Sequence, residues 1–277
     1  MSDSRLAIHG AGHLAAALAE GFFRAQMGPI SLYNRTRQRA IELARAFPII
    51  KVFDDQAPFD SEKCPLLLVI PGRALLEAAD ARMERLGESG RVVVSCVNGL
   101  PLSVLDRRFP GIRWIKAIPN VAAAVGKSVT LVAKGNAADD ADLRSVEQLF
   151  ETLGTVIATY TDEELDRLSV VTSCLPGILA AMLDEFTHAY DLDESQSRDL
   201  LVASAAGSLA LAGHYRGSLG DLASSVANPG GLTEAGVATV RSNLPPIMAE
   251  LRDVLNRKRE LRWQQYLATL PPTGAGL

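Results

Sequence analysis

The chain has 277 residues, 48% hydrophobic and 22% charged, which fits a folded protein with a full core in one large domain or two smaller ones. A net charge of −4 argues against nucleic acid as a partner. Cys64, Cys96 and Cys174 form neither a disulfide framework nor a metal-ligand spacing, no charged-then-apolar leader opens the chain, and no apolar run is read as membrane-spanning. A cytoplasmic protein without membrane partners is therefore expected.

In chain order, RLAIHG (5–10) reads as a short buried strand. Residues 13–26 follow as a helix, with Leu14, Ala17, Leu18, Gly21 and Phe22 on one side. ISLYN (30–34) is a second strand and 36–46 a second helix. Further strands are expected at 65–70, 91–96, 112–118, 128–135 and 155–160, with helical stretches at 73–87 and 138–153. Continuous apolar strands alternating with helices imply a parallel sheet covered on both faces, an α/β fold.

Past residue 161 the strand pattern stops. A helix begins at EELDRLSVV and is expected to break at TSCLPG, before Pro176. Residues 177–190 are apolar on nearly every side, which predicts burial all round. Residues 195–214 carry Ala203, Ser204, Ala205, Ala206, Gly207, Ala210, Ala212 and Gly213, small enough for close helix approach. Residues 245–262 read as a charged amphipathic helix, and the tail LPPTGAGL as loose. These features divide the chain into a Rossmann-type domain, 1–160, and an all-helical domain, 161–277.

The chemistry concentrates at two places. Gly10-Ala11-Gly12-His13-Leu14-Ala15 is the G-x-G-x-x-A form of the dinucleotide fingerprint, and it sits between a strand and a helix as that motif requires. Gly10 permits the turn, Gly12 admits a pyrophosphate to the backbone, and Ala15 lets the helix pack on the strand. An NAD site usually has an acid at the end of the second strand. Here Asn34, Arg35, Thr36 and Arg37 stand instead, and a 2′-phosphate suits such a pocket, so NADP(H) is the expected cofactor. The second place is ANPGGLTEAG (227–236), a helix start whose free backbone N–H groups form an anion cradle.

Taken together, these stretches resemble the pyrroline-5-carboxylate reductase family over most of the chain. Besides the loop at Gly10 and NRTRQRA, the resemblance runs through LLLVIPGR (66–73), VVVSCVNGL (92–100), KAIPNVAAAVGKSVT (116–130) and DEELDRLSVVTSCLPGILAAMLDE (162–185). It ends in ANPGGLT (227–233). The resemblance implies a Rossmann domain followed by a helical dimerisation domain, and a homodimer. It also implies NADPH-dependent reduction of a small cyclic imino acid, foremost 1-pyrroline-5-carboxylate to proline, by hydride transfer to the imine carbon.

By the same resemblance Gly10, Gly12, His13, Leu14, Asn34, Arg35, Thr36, Pro71, Asn98 and Asn120 serve the cofactor. Asn228, Gly230, Gly231, Leu232 and Thr233 hold the substrate carboxylate, with Thr233 on the ring nitrogen as the catalytic residue. Departures are visible. The family's Ser-Gly-Ser-Gly-Pro is Thr172-Ser173-Cys174-Leu175-Pro176 here, Asn228 replaces a serine, and Ile70 replaces the lysine before Pro71. Two alternatives stay open on that ground: a reductase of a different imine or carbonyl acid, and a nucleotide-binding paralogue without catalysis.

The remaining candidates have plain readings beside the functional ones. His13 touches cofactor or is an exposed first-turn residue; Asn120 positions nicotinamide or substrate, or shapes a turn. Cys174 reads as a packed thiol. His188 and His214 match no metal motif, and Met182 and Phe186 belong to a core or a subunit seam.

Overall fold

The computed structural model describes residues 4–268. They form two compact units: residues up to Pro176 together with those from Arg259 on, and Gly177–Lys258.

The first unit is built on eight strands: β1 (Leu6–His9), β2 (Ile30–Tyr33), β3 (Ile50–Phe53), β4 (Leu66–Leu68), β5 (Val92–Ser95), β6 (Arg113–Ile118), β7 (Ser128–Lys134) and β8 (Gly154–Ala158). They lie in the order β3-β2-β1-β4-β5-β6-β7-β8. The first six run parallel. The last two are parallel to each other and antiparallel to the rest, because β7 pairs with β6 in reverse. The link 119–127 holds only a 3-10 turn (Val121–Val125), too short for the crossover a parallel return needs.

Around the sheet lie α1 (His13–Arg24), α2 (Arg37–Ala46), α3 (Gln56–Asp60), α4 (Gly72–Leu76), α5 (Asp80–Glu88), α6 (Leu102–Arg108) and α7 (Asp140–Glu151). Strand residues feed two clusters, one on each face. Leu66, Leu68, Val93 and Trp114 belong to one; Leu6, Ile8, Leu32, Leu67 and Ile115 belong to the other. This two-sided burial is why the strands read as unbroken apolar runs. The helical stretch expected at 73–87 is two helices, α4 and α5, with 77–79 between them.

Helix α8 (Asp162–Ala189) corrects one expectation: it runs straight through Pro176. Proline has no N–H to give the carbonyl four residues back, that of Thr172. Asn120 fills the gap, its Nδ2 donating to the Thr172 oxygen at 2.9 Å while its Oδ1 accepts from the Ala122 amide at 2.9 Å. With the orphan carbonyl satisfied from outside, the helix need not end. The two runs therefore fuse into one helix of 28 residues, long and apolar enough by length and composition to cross a membrane. That overturns the reading that no segment reaches such a length. Its first turns are those of a packed helix, with Leu165, Asp166 and Ser169 buried.

The second unit continues through α9 (Glu194–Gln196), a π-helical stretch (Ser197–Val202), α10 (Ala203–His214), α11 (Leu219–Ser225) and α12 (Leu232–Leu267), whose last turns from Arg259 belong to the first unit. The charged helix expected at 245–262 is the later part of α12. The loose tail predicted at 270–277 lies outside the described residues. Burial all round at 177–190 does not occur within one chain: Met182, Phe186 and Tyr190 are exposed, and no residue of 177–258 is buried. These helices have too little of their own chain to cover their apolar faces.

Candidate functional site

The β1–α1 turn has the geometry of a phosphate loop. Gly10 adopts φ +124°, and a Cβ there would overlap the carbonyl oxygen of Val69, so only glycine fits. Gly12 is different. Its backbone is extended, and a Cβ would meet nothing within 4 Å. No internal packing demands a glycine at that point. The open space leaves the backbone accessible to an incoming phosphate. Gly12 opens α1 without a side-chain cap, so the first-turn amides, those of His13 and Leu14 among them, keep their donors for an anion. His13 is exposed on this turn, and Ala15 is buried where the helix meets the sheet.

Beside this turn, at the carboxyl ends of β1, β2 and β4, lies a cavity of about 600 Å³. Its lining brings together the predicted Asn34, Arg35, Thr36 and Pro71. Asn34 Nδ2 donates to the Thr36 carbonyl at 2.8 Å, which shapes the β2–α2 turn. Arg37 is not in the lining; it is committed to an exposed ion pair with Asp54.

The cavity also contains a buried polar group with no signature in the local sequence. Arg82, from α5, donates from Nε to Asp60 Oδ2 at 2.8 Å and from Nη2 to Asp60 Oδ1 at 3.0 Å. The side chains of Arg82 and Asp60 are only 8% and 10% exposed. His9, the last residue of β1, lies with Nδ1 3.4 Å from Arg82 Nη2 and its ring 5.1 Å from that of Tyr33. Burial, with the Arg82 charge adding to it, lowers the His9 pKa to about 3.

The folded His9 pKa therefore lies below the unfolded value near 6.5, and the unfolded chain binds the extra proton between those pH values. Stability from neutral His9 is complete above pH 6.5 and drains as pH falls toward 3. Denaturation of the wild type across that window is expected to be steeper in pH than that of His9→Gln, by up to about 1.4 kcal/mol per pH unit. Identical slopes would mean that His9 is not buried neutral.

The other predicted cofactor residues lie elsewhere in the same unit. Asn98, in the loop after β5, accepts at Oδ1 from the Ser169 hydroxyl at 3.0 Å. Asn120 is spent on Thr172 and Ala122, which gives it a structural task. Cys96 is a buried thiol whose pKa burial raises to about 12, far from a reactive thiolate. No group of His, Cys, Asp and Glu suited to a metal ion occurs among the described residues.

In the second unit, Asn228–Thr233 forms the turn into α12. Gly230 has φ +74°. Two of the expected donors are already engaged: Gly231 N–H donates to the Asn228 carbonyl at 2.9 Å, and Gly230 N–H to Glu234 Oε2 at 2.7 Å. The amides of Leu232 and Thr233, in the first turn of α12, have no intrahelical acceptor. Leu232 is exposed, and the Thr233 hydroxyl makes no hydrogen bond among the described residues.

Residues 162–261 match the family model described as pyrroline-5-carboxylate reductase dimerisation. The chain is 30% identical over 244 residues to a pyrroline-5-carboxylate reductase of Thermus thermophilus, covering 84% of this chain and 88% of that one. In fold it is similar to a pyrroline-5-carboxylate reductase of Coxiella burnetii, with a TM-score of 0.77 at 16% identity over 98% of this chain and 100% of that one. It is also similar to a pyrroline carboxylate reductase of Plasmodium falciparum with NADP bound, with a TM-score of 0.76 at 15% identity over 98% and 100%.

Proposed function

Because the chain belongs to the pyrroline-5-carboxylate reductase family, we propose that it reduces a cyclic imino acid, foremost 1-pyrroline-5-carboxylate to proline, with NADPH. The observation that carries this reading is the pairing of an open glycine turn at Gly10–Leu14 with an arginine-lined pocket at Asn34–Thr36 whose one acid, Asp60, is held by Arg82. Such a pair fits a dinucleotide with a 2′-phosphate. The cofactor is NADP(H), and when bound it supplies the hydride. The first-turn amides of α1 hold its pyrophosphate, and Arg35, Thr36 and Asn34 surround the adenosine end.

The substrate carboxylate docks on the Leu232 and Thr233 amides, where the positive end of α12 favours a negative charge. To reach the Gly230 amide as well, it displaces the Glu234 carboxylate. Protonation of the ring nitrogen makes the adjacent carbon the electrophile; Thr233 Oγ1 accepts from that N–H and orients it, and hydride transfer then leaves a neutral secondary amine without a catalytic acid. The enzyme's contribution is orientation, not acid–base chemistry.

A second copy of the chain completes the protein. An 82-residue stretch, Gly177–Lys258, without one buried residue cannot stand alone, and its exposed Phe186, Leu200, Leu209 and Leu211 need a partner surface. The helical region from 161 on is the dimerisation and substrate domain, 1–160 is the cofactor domain, and the homodimer is cytoplasmic.

Leu175 and Glu234 favour a second reading, reduction of a different imine or carbonyl acid. Leu175 adds bulk where the resembled motif has glycine, and Glu234 already places a carboxylate on the cradle. NADPH oxidation measured over a set of imines separates the readings. Turnover of 1-pyrroline-5-carboxylate supports the first; turnover only of another imine replaces it. Thr233→Ala is expected to lower kcat/KM on the order of tenfold with cofactor binding unchanged, the loss of one hydrogen bond to a charged group. Unaltered kinetics would remove Thr233 from the site.

A further inference from the structure

We propose that Tyr266 and Arg262, in the last turns of α12, are positioning residues for the nicotinamide half of the cofactor, acting through the loops that follow β4 and β5. The inference rests on the NADP(H) reading above and deepens it, naming what holds the reacting end of the cofactor site.

The first observation is where those loops lie. The strand order β3-β2-β1-β4-β5-β6 reverses between β1 and β4. A dinucleotide spans such a crevice with one mononucleotide on each side. The cavity lined by Asn34, Arg35 and Thr36 takes the adenosine side, so the loops after β4 and β5 fall to the nicotinamide side. Pro71 and Asn98, both expected at the cofactor, belong to these two loops.

The second observation is what rests on them. The turns of α12 from Arg259 on belong to the same compact unit as the sheet. Tyr266 packs, as Ile70 and Leu168 do, against the core cluster that contains Leu68 and Val97. A Cβ on Gly72, next to Pro71, would overlap the Tyr266 ring and hydroxyl. A Cβ on Gly99, next to Asn98, would stand 3.1 Å from Arg262 Cδ. Each loop therefore carries a glycine where a side chain of α12 lies on it.

The third observation is that this end of α12 is anchored. Arg259 Nε lies 3.4 Å from Asp166 Oδ2, and the Asp166 side chain is only 4% exposed. A pair buried on that side is costly to break. The charges of Asp162 and Asp166 also act on Lys116 of β6, which is buried and whose pKa burial lowers to about 8 in spite of them. From the same turns of α8, Asp162 accepts from the Leu102 and Ser103 amides at 2.7 and 2.9 Å, and the Ser169 hydroxyl donates to Asn98 Oδ1 at 3.0 Å. The loop after β5 is thus held by α8 at Asn98 and at its far end, with Arg262 against Gly99 between them. A misplacement of about 1 Å can cost on the order of a hundredfold in rate, so support under these loops bears directly on hydride transfer.

Titration of the intact protein with NADPH and with adenosine 2′,5′-bisphosphate, which carries the adenosine half alone, tests this without turnover. The wild type is expected to bind both and to shift the fluorescence of the dihydronicotinamide ring as the ring leaves water. Tyr266→Ala and Arg262→Ala should each bind the bisphosphate as the wild type does, bind NADPH on the order of tenfold more weakly, and leave the ring emission close to that of free cofactor. Arg262→Met, which keeps the stem over Gly99 and loses only the charge, should restore wild-type behaviour. Gly72→Ala disturbs the same contact as Tyr266→Ala and should add nothing to it in the double variant. Arg262 is exposed, so Arg262→Ala is expected to melt with the wild type and carries the test even if Tyr266→Ala is less stable. If Arg262→Ala and Tyr266→Ala keep wild-type NADPH affinity and emission, or weaken both ligands equally, the positioning role is overturned while the NADP(H) reading stands. If the wild type does not bind NADPH, the NADP(H) reading itself falls.

Discussion

Valine at position 12 is expected to leave the protein folded and to weaken NADP(H) by on the order of a hundredfold or more, the loss of about two hydrogen bonds between backbone amides and a charged phosphate. The backbone at Gly12 is extended, which any residue adopts, and the space around it is empty, so the fold has no use for a glycine there. A branched side chain would stand where the pyrophosphate has to approach. Gly10→Ala should behave in the opposite way. Its φ of +124° and the Val69 carbonyl against its missing Cβ make that change a folding defect, expected at about 3 kcal/mol. Cofactor titration and thermal melting of the two variants separate the roles. Equal losses in both measurements for both variants would show that the turn has no ligand-specific glycine.

The second large effect concerns the pair under the cavity. Asp60→Ala leaves Arg82 as an uncompensated charge beside neutral His9, in a place where neither partner of the pair is more than a tenth exposed. Breaking a buried pair from one side costs about 3–5 kcal/mol. Replacing both partners, as Asp60→Leu with Arg82→Met, should recover most of that loss, since the expense lies in the orphaned charge. Denaturant unfolding of the single and double variants measures it. A single variant as stable as the wild type would mean that solvent reaches Arg82 in the folded protein.

Much of the sheet was legible because β1, β2, β4, β5 and β6 are covered on both faces, so their apolar runs are continuous and their ends are marked by glycine or proline. Strand β3 was not read. It is the edge strand, only half-buried, and Lys51 interrupts a four-residue run. Short helices α3 and α6 give too few residues for a periodicity. The break expected at TSCLPG failed for a non-local reason: the carbonyl that Pro176 leaves unbonded is satisfied by Asn120, from the other side of β7 in sequence. No reading of α8 alone contains that hydrogen bond. It also assigns Asn120 work in the fold, where its neighbourhood in sequence suggested the cofactor.

The candidate site divides in the same way. The Gly10–Leu14 turn and Asn34–Thr36 are contiguous motifs, and the structure places them around one end of the sheet. Arg82 and Asp60 belong to no motif; Arg82 meets His9 across 73 residues, a contact that exists only after β1 and β4 pair. The one local signal was His9 itself, a histidine closing an otherwise apolar strand. In the second unit the loop at Gly230 was found by its glycines, whereas the Glu234 carboxylate on its amide was visible only in three dimensions. The burial all round expected at 177–190 does not occur within the chain, where Met182, Phe186 and Tyr190 are exposed, because periodicity shows that a segment is apolar and not what packs on it.

The central claim is hydride transfer from NADPH to the imine carbon of a cyclic imino acid. The most direct measurement incubates the purified protein with 1-pyrroline-5-carboxylate and NADPH carrying deuterium at the transferable position of nicotinamide C4, then locates the label by mass spectrometry and NMR. The account predicts proline with one deuterium on the former imine carbon, formed in step with NADPH oxidation. Bound NADPH without labelled proline, in a protein that melts cooperatively, would contradict it.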